Sequence, residues 1–142
     1  MTHTFPLEIL IAEDDQLITE LQKRQLVKLV DSPLKCFWNG KTLMNHLHNV
    51  IEERKAVLIF LDINMPVMDG WEVLDQINEL YAHKNIFVVM LTSSLFPADK
   101  KKALSYPQVI SFNNKFLEHE DYKELLNIKV LNPFFNSEVF AE

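Results

Sequence analysis

Short apolar runs alternate along the chain with longer segments in which apolar residues recur every three or four positions. Two of the runs, Ala56–Leu61 and Ile86–Leu91, are apolar throughout, which is typical of parallel strands that helices cover on both faces. The runs that predict strands are Leu7–Ala12, Lys35–Trp38, Ala56–Leu61, Ile86–Leu91 and Val109–Phe112. The segments that predict helices are Asp15–Val30, Thr42–Glu53, Gly70–Ala82, Pro97–Leu104 and Glu118–Ile128. Because each predicted strand precedes a predicted helix, we expect an α/β fold with a doubly wound, five-stranded parallel sheet flanked by helices.

Composition narrows the class of protein. The chain has 142 residues, 48% of them hydrophobic, and a formal net charge of −6, which fits one soluble domain and disfavours nucleic acid as a partner. Gly40 and Gly70 are the only glycines in the sequence, so both glycine-rich nucleotide-binding loops are excluded. Cys36 is the single cysteine, and every apolar run is far shorter than the ~20 residues of a membrane helix. We therefore expect a cytoplasmic protein without a membrane partner.

Polar residues of complementary chemistry follow four of the predicted strands. They are Glu13, Asp14 and Asp15 after the first strand, Asp62 and Asn64 after the third, Thr92 and Ser93 after the fourth, and Lys115 after the fifth. Ligand sites of open α/β sheets lie beyond the carboxyl ends of the strands. Carboxylates gathered there favour Mg²⁺, and a lysine beside a hydroxyl suits the oxygens of a phosphoryl group. The sequence therefore predicts a phosphoryl-transfer site that has no nucleotide loop.

The order and spacing of these motifs are also those of a known family. The motifs are Glu13–Asp15, LDINMPVMDG over Leu61–Gly70, MLTSS over Met90–Ser94, and Lys115. Together they resemble the receiver domains of two-component response regulators, and the resemblance extends from about Leu7 to Ile128. It implies the flavodoxin-like receiver fold over residues 1–131 and a C-terminal tail over 132–142. It also implies a stand-alone receiver, without a separate output domain.

The resemblance implies a role for each acidic position. Asp62 is expected to be the phosphoacceptor, a carboxylate that takes a phosphoryl group from a phosphohistidine. Mg²⁺ (or Mn²⁺) is expected to bind the carboxylates of Asp15 and Asp62 and the backbone carbonyl of Asn64. Asp14 is expected to reach the ion through a water molecule, and Glu13 has no role in this assignment.

The remaining site residues are expected to bind the phosphoryl group, to switch the conformation and to tune hydrolysis. The resemblance implies that Thr92 donates a hydrogen bond to a phosphoryl oxygen and that Lys115 neutralises its charge. Phe112 stands where the family has an aromatic switch residue, although a static core side chain is equally compatible with the pattern. Asn64 and Ser94 stand where the family tunes the access of hydrolytic water.

One position departs from the family pattern. The active-site lysine of the family is usually followed by proline, often through a cis peptide bond, whereas Lys115 is followed by Phe116. A cis bond before a residue other than proline costs about 2.5–4 kcal/mol, so we expect a trans bond here. We also expect a rearranged loop after Lys115, and a lysine that is less well aimed.

The implied partners are a histidine kinase or a histidine phosphotransfer protein, and a downstream protein bound through Pro97–Ile128. The chain is then a signalling domain and not an enzyme. One alternative is a pseudo-receiver, an interaction module that is not phosphorylated. Another is a phosphatase of the haloacid dehalogenase type, which requires a second aspartate where this chain has Asn64. The tail residues Pro133, Phe134, Phe135 and Phe140 are apolar, and we expect them to pack on the domain.

Overall fold

A five-stranded, wholly parallel sheet forms the centre of the molecule. The computed structural model describes residues 7–94 and 96–135. The strands are β1 Leu7–Ala12, β2 Leu34–Phe37, β3 Ala56–Leu61, β4 Ile86–Thr92 and β5 Val109–Asn114, in the spatial order β2-β1-β3-β4-β5. The neighbouring strands β1 and β3 are buried at every position. The predicted doubly wound α/β fold is confirmed.

Helices follow the strands and cover both faces of the sheet. They are α1 Gln16–Leu29, α2 Gly40–Val50, α3 Gly70–Tyr81, α4 Pro97–Leu104 and α5 His119–Leu126, followed by a 3₁₀ helix over Lys129–Phe134. The side chains of Asp15, Asn39 and Asp69 accept hydrogen bonds from the first-turn amides of α1, α2 and α3, which starts these helices close to the strand ends. In the described part of the chain, no helix is both long enough and apolar enough to cross a bilayer.

The alternation of side chains along each strand divides the interior into two cores. Leu10 and Ile59 face the core that α2, α3 and α4 cover, whereas Ile9 and Leu58 face the core under α1, α5 and the 3₁₀ helix. A shift of one residue in strand register would move each of these side chains to the wrong core. The position of the residues just after each strand is therefore fixed by packing.

Strand β5 extends two residues beyond the predicted end at Phe112. Asn114 pairs with Thr92 in the register of β4 and β5, and the Lys115 N–H donates to the Thr92 carbonyl at 3.2 Å. Lys115 thus leaves the sheet directly from its carboxyl edge, beside the residues that end β4.

The expected packing of the C-terminal segment is confirmed for Phe134 and Phe135, whereas Pro133 is exposed. Leu131 is fully buried, and Phe134 and Phe135 pack against the core under α5. The Phe134 ring lies 5.7 Å, centroid to centroid, from the ring of Phe87 on β4. The prediction for Phe140 lies outside the described residues.

Candidate metal and phosphoryl site

Three carboxylates meet where β1 and β3 end. The two strands are neighbours with Ala12 opposite Leu61, and the Asp62 N–H donates to the Ala12 carbonyl at 3.0 Å. This pairing brings Glu13 and Asp62 out of the sheet side by side. Carboxylate oxygens of Glu13, Asp14 and Asp62 lie within 4.8 Å of one another, a spacing at which one divalent cation can contact all three.

The position of Asp15 differs from the sequence-based assignment. The Asp15 carboxylate accepts hydrogen bonds from the N–H groups of Leu17 at 2.9 Å and Ile18 at 3.2 Å, so it caps α1. The structure groups Glu13 and Asp14, and not Asp15, with Asp62. The assignment of Asp15 as a ligand stays a prediction, made where three consecutive acids look alike in sequence. Their distinction is burial: Glu13 is 2% exposed, whereas Asp14 and Asp15 face solvent.

Lys115 reaches over the end of the sheet to the two buried carboxylates. Its Nζ lies 3.2 Å from Glu13 Oε1 and 3.2 Å from Asp62 Oδ2. Burial lowers the pKa of the Lys115 ammonium, but the carboxylates of Asp62 and Glu13 outweigh that effect and leave the pKa above its ordinary value. Lys115 therefore remains a cation, which can neutralise an anion at Asp62.

The peptide bond between Lys115 and Phe116 is trans, as predicted. The accompanying expectation, that the lysine is less well aimed without a following proline, stays a prediction. The ammonium group lies at equal distances from Glu13 and Asp62. A feature of the loop other than proline therefore orients the Lys115 side chain.

Glu13 carries the strongest electrostatic perturbation of the site. Burial raises the pKa of Glu13 to about 7, although the N–H of Asp15, which donates to Oε2 at 3.0 Å, opposes the shift. The neighbouring charge of Asp62 raises the pKa further, and Lys115 lowers it. A second positive charge beside Glu13 would favour its ionised form.

Asp62 has an unused acceptor atom. The residue is 3% exposed, and its Oδ1 is buried without a hydrogen-bond partner among the described residues. A buried carboxylate oxygen without a partner is costly. The residues therefore fit a cation in contact with Asp62, with Asp14 at the solvent side of the cluster. A cavity lined by Glu13, Asp14 and Trp38 opens beside them.

The loop after β4 holds Thr92 and Ser94 in place. Thr92 is fully buried, and its Oγ1 accepts a hydrogen bond from the Ser94 N–H at 3.2 Å. The Ser94 hydroxyl donates to the carboxylate of Asp99 in the first turn of α4. Phe112 is half-buried on β5 and packs against the core under α2, α3 and α4. Asn64 is exposed, two residues beyond Asp62.

The loop from β3 to α3 is closed tightly on Asp62. The Gly70 N–H donates to the Ile63 carbonyl at 2.7 Å, and a Cβ on Gly70 would lie 2.4 Å from the Asp62 carbonyl oxygen. Glycine is therefore required by close approach of the backbone. Earlier in the loop, Val67 adopts a φ of 69°, an uncommon conformation for a β-branched residue.

The parallel sheet and the carboxylate–lysine cluster at its carboxyl edge together define a receiver of two-component signalling. The family model of the response regulator receiver domain matches residues 9–126. The chain therefore belongs to this family, and the resemblance inferred from the motifs is confirmed.

Among curated proteins, hybrid signal transduction histidine kinase H of Dictyostelium discoideum is 30% identical over 102 residues. The match covers 70% of this chain and 7% of the kinase, so the chain spans a small part of that relative's length. Among solved structures, a two-component response regulator from Cytophaga hutchinsonii is 28% identical with a TM-score of 0.78, over 91% of this chain and 99% of that one. The Mn²⁺-bound form of response regulator Rcp1 is 27% identical with a TM-score of 0.68, over 89% and 90% of the two chains.

Proposed function

We propose that the protein accepts a phosphoryl group on Asp62 from a phosphohistidine of a histidine kinase or a histidine phosphotransfer protein. The observation that carries the proposal is the state of the Asp62 carboxylate. One of its oxygens contacts Lys115, and the other is buried without a partner among the described residues. A nucleophile held in this way has one oxygen that no hydrogen bond occupies and a second oxygen whose charge a cation balances.

The transfer exchanges one bond to phosphorus for another. An Asp62 oxygen forms a bond to phosphorus while the bond from phosphorus to the imidazole nitrogen of the donor breaks. The imidazole leaves with the electron pair and takes up a proton. Lys115 neutralises negative charge on the transferred group, and the Thr92 hydroxyl donates a hydrogen bond to one of its oxygens. The product is an acyl phosphate on Asp62.

The proposed metal ligands are revised from the sequence-based set. Glu13, Asp14 and Asp62 provide the carboxylate oxygens in our proposal, and the backbone carbonyl of Asn64 completes the protein contribution. Mg²⁺ or Mn²⁺ supplies positive charge at the phosphoryl oxygens when bound. The three carboxylates are within reach of one ion, which supports this set. The related protein Rcp1 has a Mn²⁺-bound form, which supports a divalent cation as the ligand.

The proposed output is a change in the surface around α4, β5 and α5. Thr92 is linked through Ser94 to Asp99 on α4, so a movement of Thr92 towards a phosphoryl group would be transmitted to that helix. We propose that a downstream protein binds residues 97–128. We retain Phe112 as the proposed switch side chain, and Asn64 and Ser94 as the proposed residues that tune hydrolysis.

Intact-mass measurement after incubation with acetyl phosphate and Mg²⁺ tests the proposal. We expect the wild-type protein to gain the mass of one phosphoryl group, and Asp62→Asn to gain none. Asp69→Asn is the matched control, because Asp69 lies in the same loop and caps α3, a role that asparagine also fills. This control should be phosphorylated like the wild type. A wild-type protein that gains no mass would favour the pseudo-receiver, and an Asp62→Asn variant that gains the mass equally would overturn Asp62 as the phosphoacceptor.

A further inference from the structure

The turn that carries Lys115 is closed by a side chain. The Oδ1 of Asn114 accepts a hydrogen bond from the Phe116 N–H at 2.9 Å, which spans Lys115 from the residue before it to the residue after it. Such an Asx turn fixes the backbone in the way that a main-chain turn does. The hydrogen bond depends on the residue after the lysine having an N–H group, which phenylalanine has and proline lacks.

The backbone of Lys115 is thereby held on both sides. Its own N–H donates to the Thr92 carbonyl at 3.2 Å, and the following amide is held by Asn114. The direction in which a long, flexible lysine side chain leaves the backbone determines which groups it can reach without a large loss of entropy. With the backbone fixed, Nζ reaches Glu13 and Asp62 at 3.2 Å each.

Neighbouring side chains do not duplicate this contact. The Phe116 side chain is 67% exposed, so its packing contributes little to holding the turn. The adjacent Asn113 donates through Nδ2 to the Ser111 hydroxyl at 2.8 Å, a contact within β5. Asn114 is therefore the side chain that joins the end of β5 to the residue beyond the lysine.

We propose that Asn114 is the positioning residue for Lys115 and that its hydrogen bond to the Phe116 amide provides the constraint that a following proline would otherwise impose. The effect of Asn114 on phosphoryl chemistry rests on the function proposed above. Its effect on the turn and on the order of the lysine side chain does not. These two consequences are measured separately.

The first measurement needs no phosphoryl group. Nuclear magnetic resonance gives the exchange rate of the Phe116 amide and the relaxation of the Lys115 ε-methylene group in the wild type and in Asn114→Ala. We expect amide exchange to accelerate about two- to ten-fold, the range that one hydrogen bond supports, and the methylene group to become more mobile. Asn114→Asp retains the acceptor and should restore both values, whereas Asn113→Ala is the neighbouring control and should change neither. Unchanged exchange or unchanged lysine mobility in Asn114→Ala would overturn the proposal.

The second measurement uses beryllofluoride with Mg²⁺ as an analogue of the phosphoryl group. We expect Asn114→Ala to bind it about two- to ten-fold more weakly than the wild type, and Asn114→Asp to recover most of the affinity. In a Lys115→Ala background, Asn114→Ala should have no further effect, because a positioning residue acts only through the group that it positions. An equal loss in both backgrounds would overturn the proposal. A wild-type protein that does not bind beryllofluoride would overturn the proposed function, and the first measurement would still decide the role of Asn114.

Discussion

Glu13→Gln should stabilise the metal-free protein above neutral pH while it weakens the metal site. Glu13 is 2% exposed, lies beside Asp62 and is balanced by a single lysine that the two carboxylates share. Glutamine has nearly the same shape, and its amide oxygen can accept the Asp15 N–H as the Glu13 carboxylate does. The substitution removes the charge, and the amide nitrogen takes the place of the oxygen that Lys115 contacts.

The size and sign of the effect follow from the pKa of Glu13, which burial raises from 4.5 to about 7. Below pH 4.5 the carboxyl group is protonated in both the folded and the unfolded chain, and its ionisation costs nothing. Between pH 4.5 and 7 the folded chain retains a proton that the unfolded chain has released, so the free energy of unfolding falls as the pH rises. Above pH 7 the accumulated cost is about 3 kcal/mol, at about 1.36 kcal/mol for each pH unit.

Urea unfolding in a chelating buffer measures this cost at a series of pH values. Glu13→Gln should match the wild type near pH 4 and exceed its free energy of unfolding by up to about 3 kcal/mol at pH 8. Added Mg²⁺ should stabilise the wild type more than the variant. Glu20→Gln, which changes an exposed glutamate on α1, is the matched control. A variant that is less stable than the wild type at pH 8, or a difference that does not change with pH, would refute the reasoning.

Four further substitutions test separate features of the site and of the loop that follows β3. Asp15→Ala should lower the free energy of unfolding by about 1 kcal/mol through loss of the α1 cap and leave Mg²⁺ affinity intact, whereas Asp14→Ala should weaken Mg²⁺ binding. Urea unfolding measures the stability of each variant, and calorimetric titration measures its Mg²⁺ affinity. Weaker Mg²⁺ binding by Asp15→Ala, with unchanged binding by Asp14→Ala, would restore Asp15 as a ligand. Gly70→Ala should cost about 1–3 kcal/mol and slow phosphorylation by acetyl phosphate, because the new Cβ presses on the Asp62 backbone; a variant as stable and as reactive as the wild type would contradict the close approach. Val67→Asn should raise the free energy of unfolding by about 1 kcal/mol, because asparagine tolerates positive φ better than a β-branched residue, and a lower urea midpoint would count against this strain.

The fold could be predicted from the sequence because its strands are apolar on both faces. No polar residue interrupts Ala56–Leu61 or Ile86–Leu91. The predicted strand starts therefore match the observed ones, and the ends agree to within one residue. The end of β5 was harder to predict, because Asn113 and Asn114 carry no apolar signal. They belong to the strand because β4 offers partners as far as Thr92, which is a property of the sheet and not of the segment.

The sequence predicts the class of the candidate site but not each residue that contributes to it. Asp62 and Lys115 were identified as neighbours because strand ends of a parallel sheet share one edge, and the structure brings them to 3.2 Å. The choice between Glu13 and Asp15 depends on which residue follows the last buried position of β1 and which begins α1. Asn114 was missed altogether. Its only sequence signal is an asparagine two residues before an amide that is not proline, and that pattern is too common to single it out.

The contact between Phe134 and Phe87 has a practical consequence for observing the protein at work. Phe87 is the second residue of β4 and Thr92 is the last, and the residues from 87 to 92, at ~3.3 Å each, span about 16 Å. Phe134 therefore marks the pole of the sheet opposite Asp62. A fluorescent dye attached at residue 132, which is exposed, would not obstruct a kinase that approaches the carboxyl edge. The phosphoryl donor can therefore bind at one end of the sheet while a label at the other end reports on the protein.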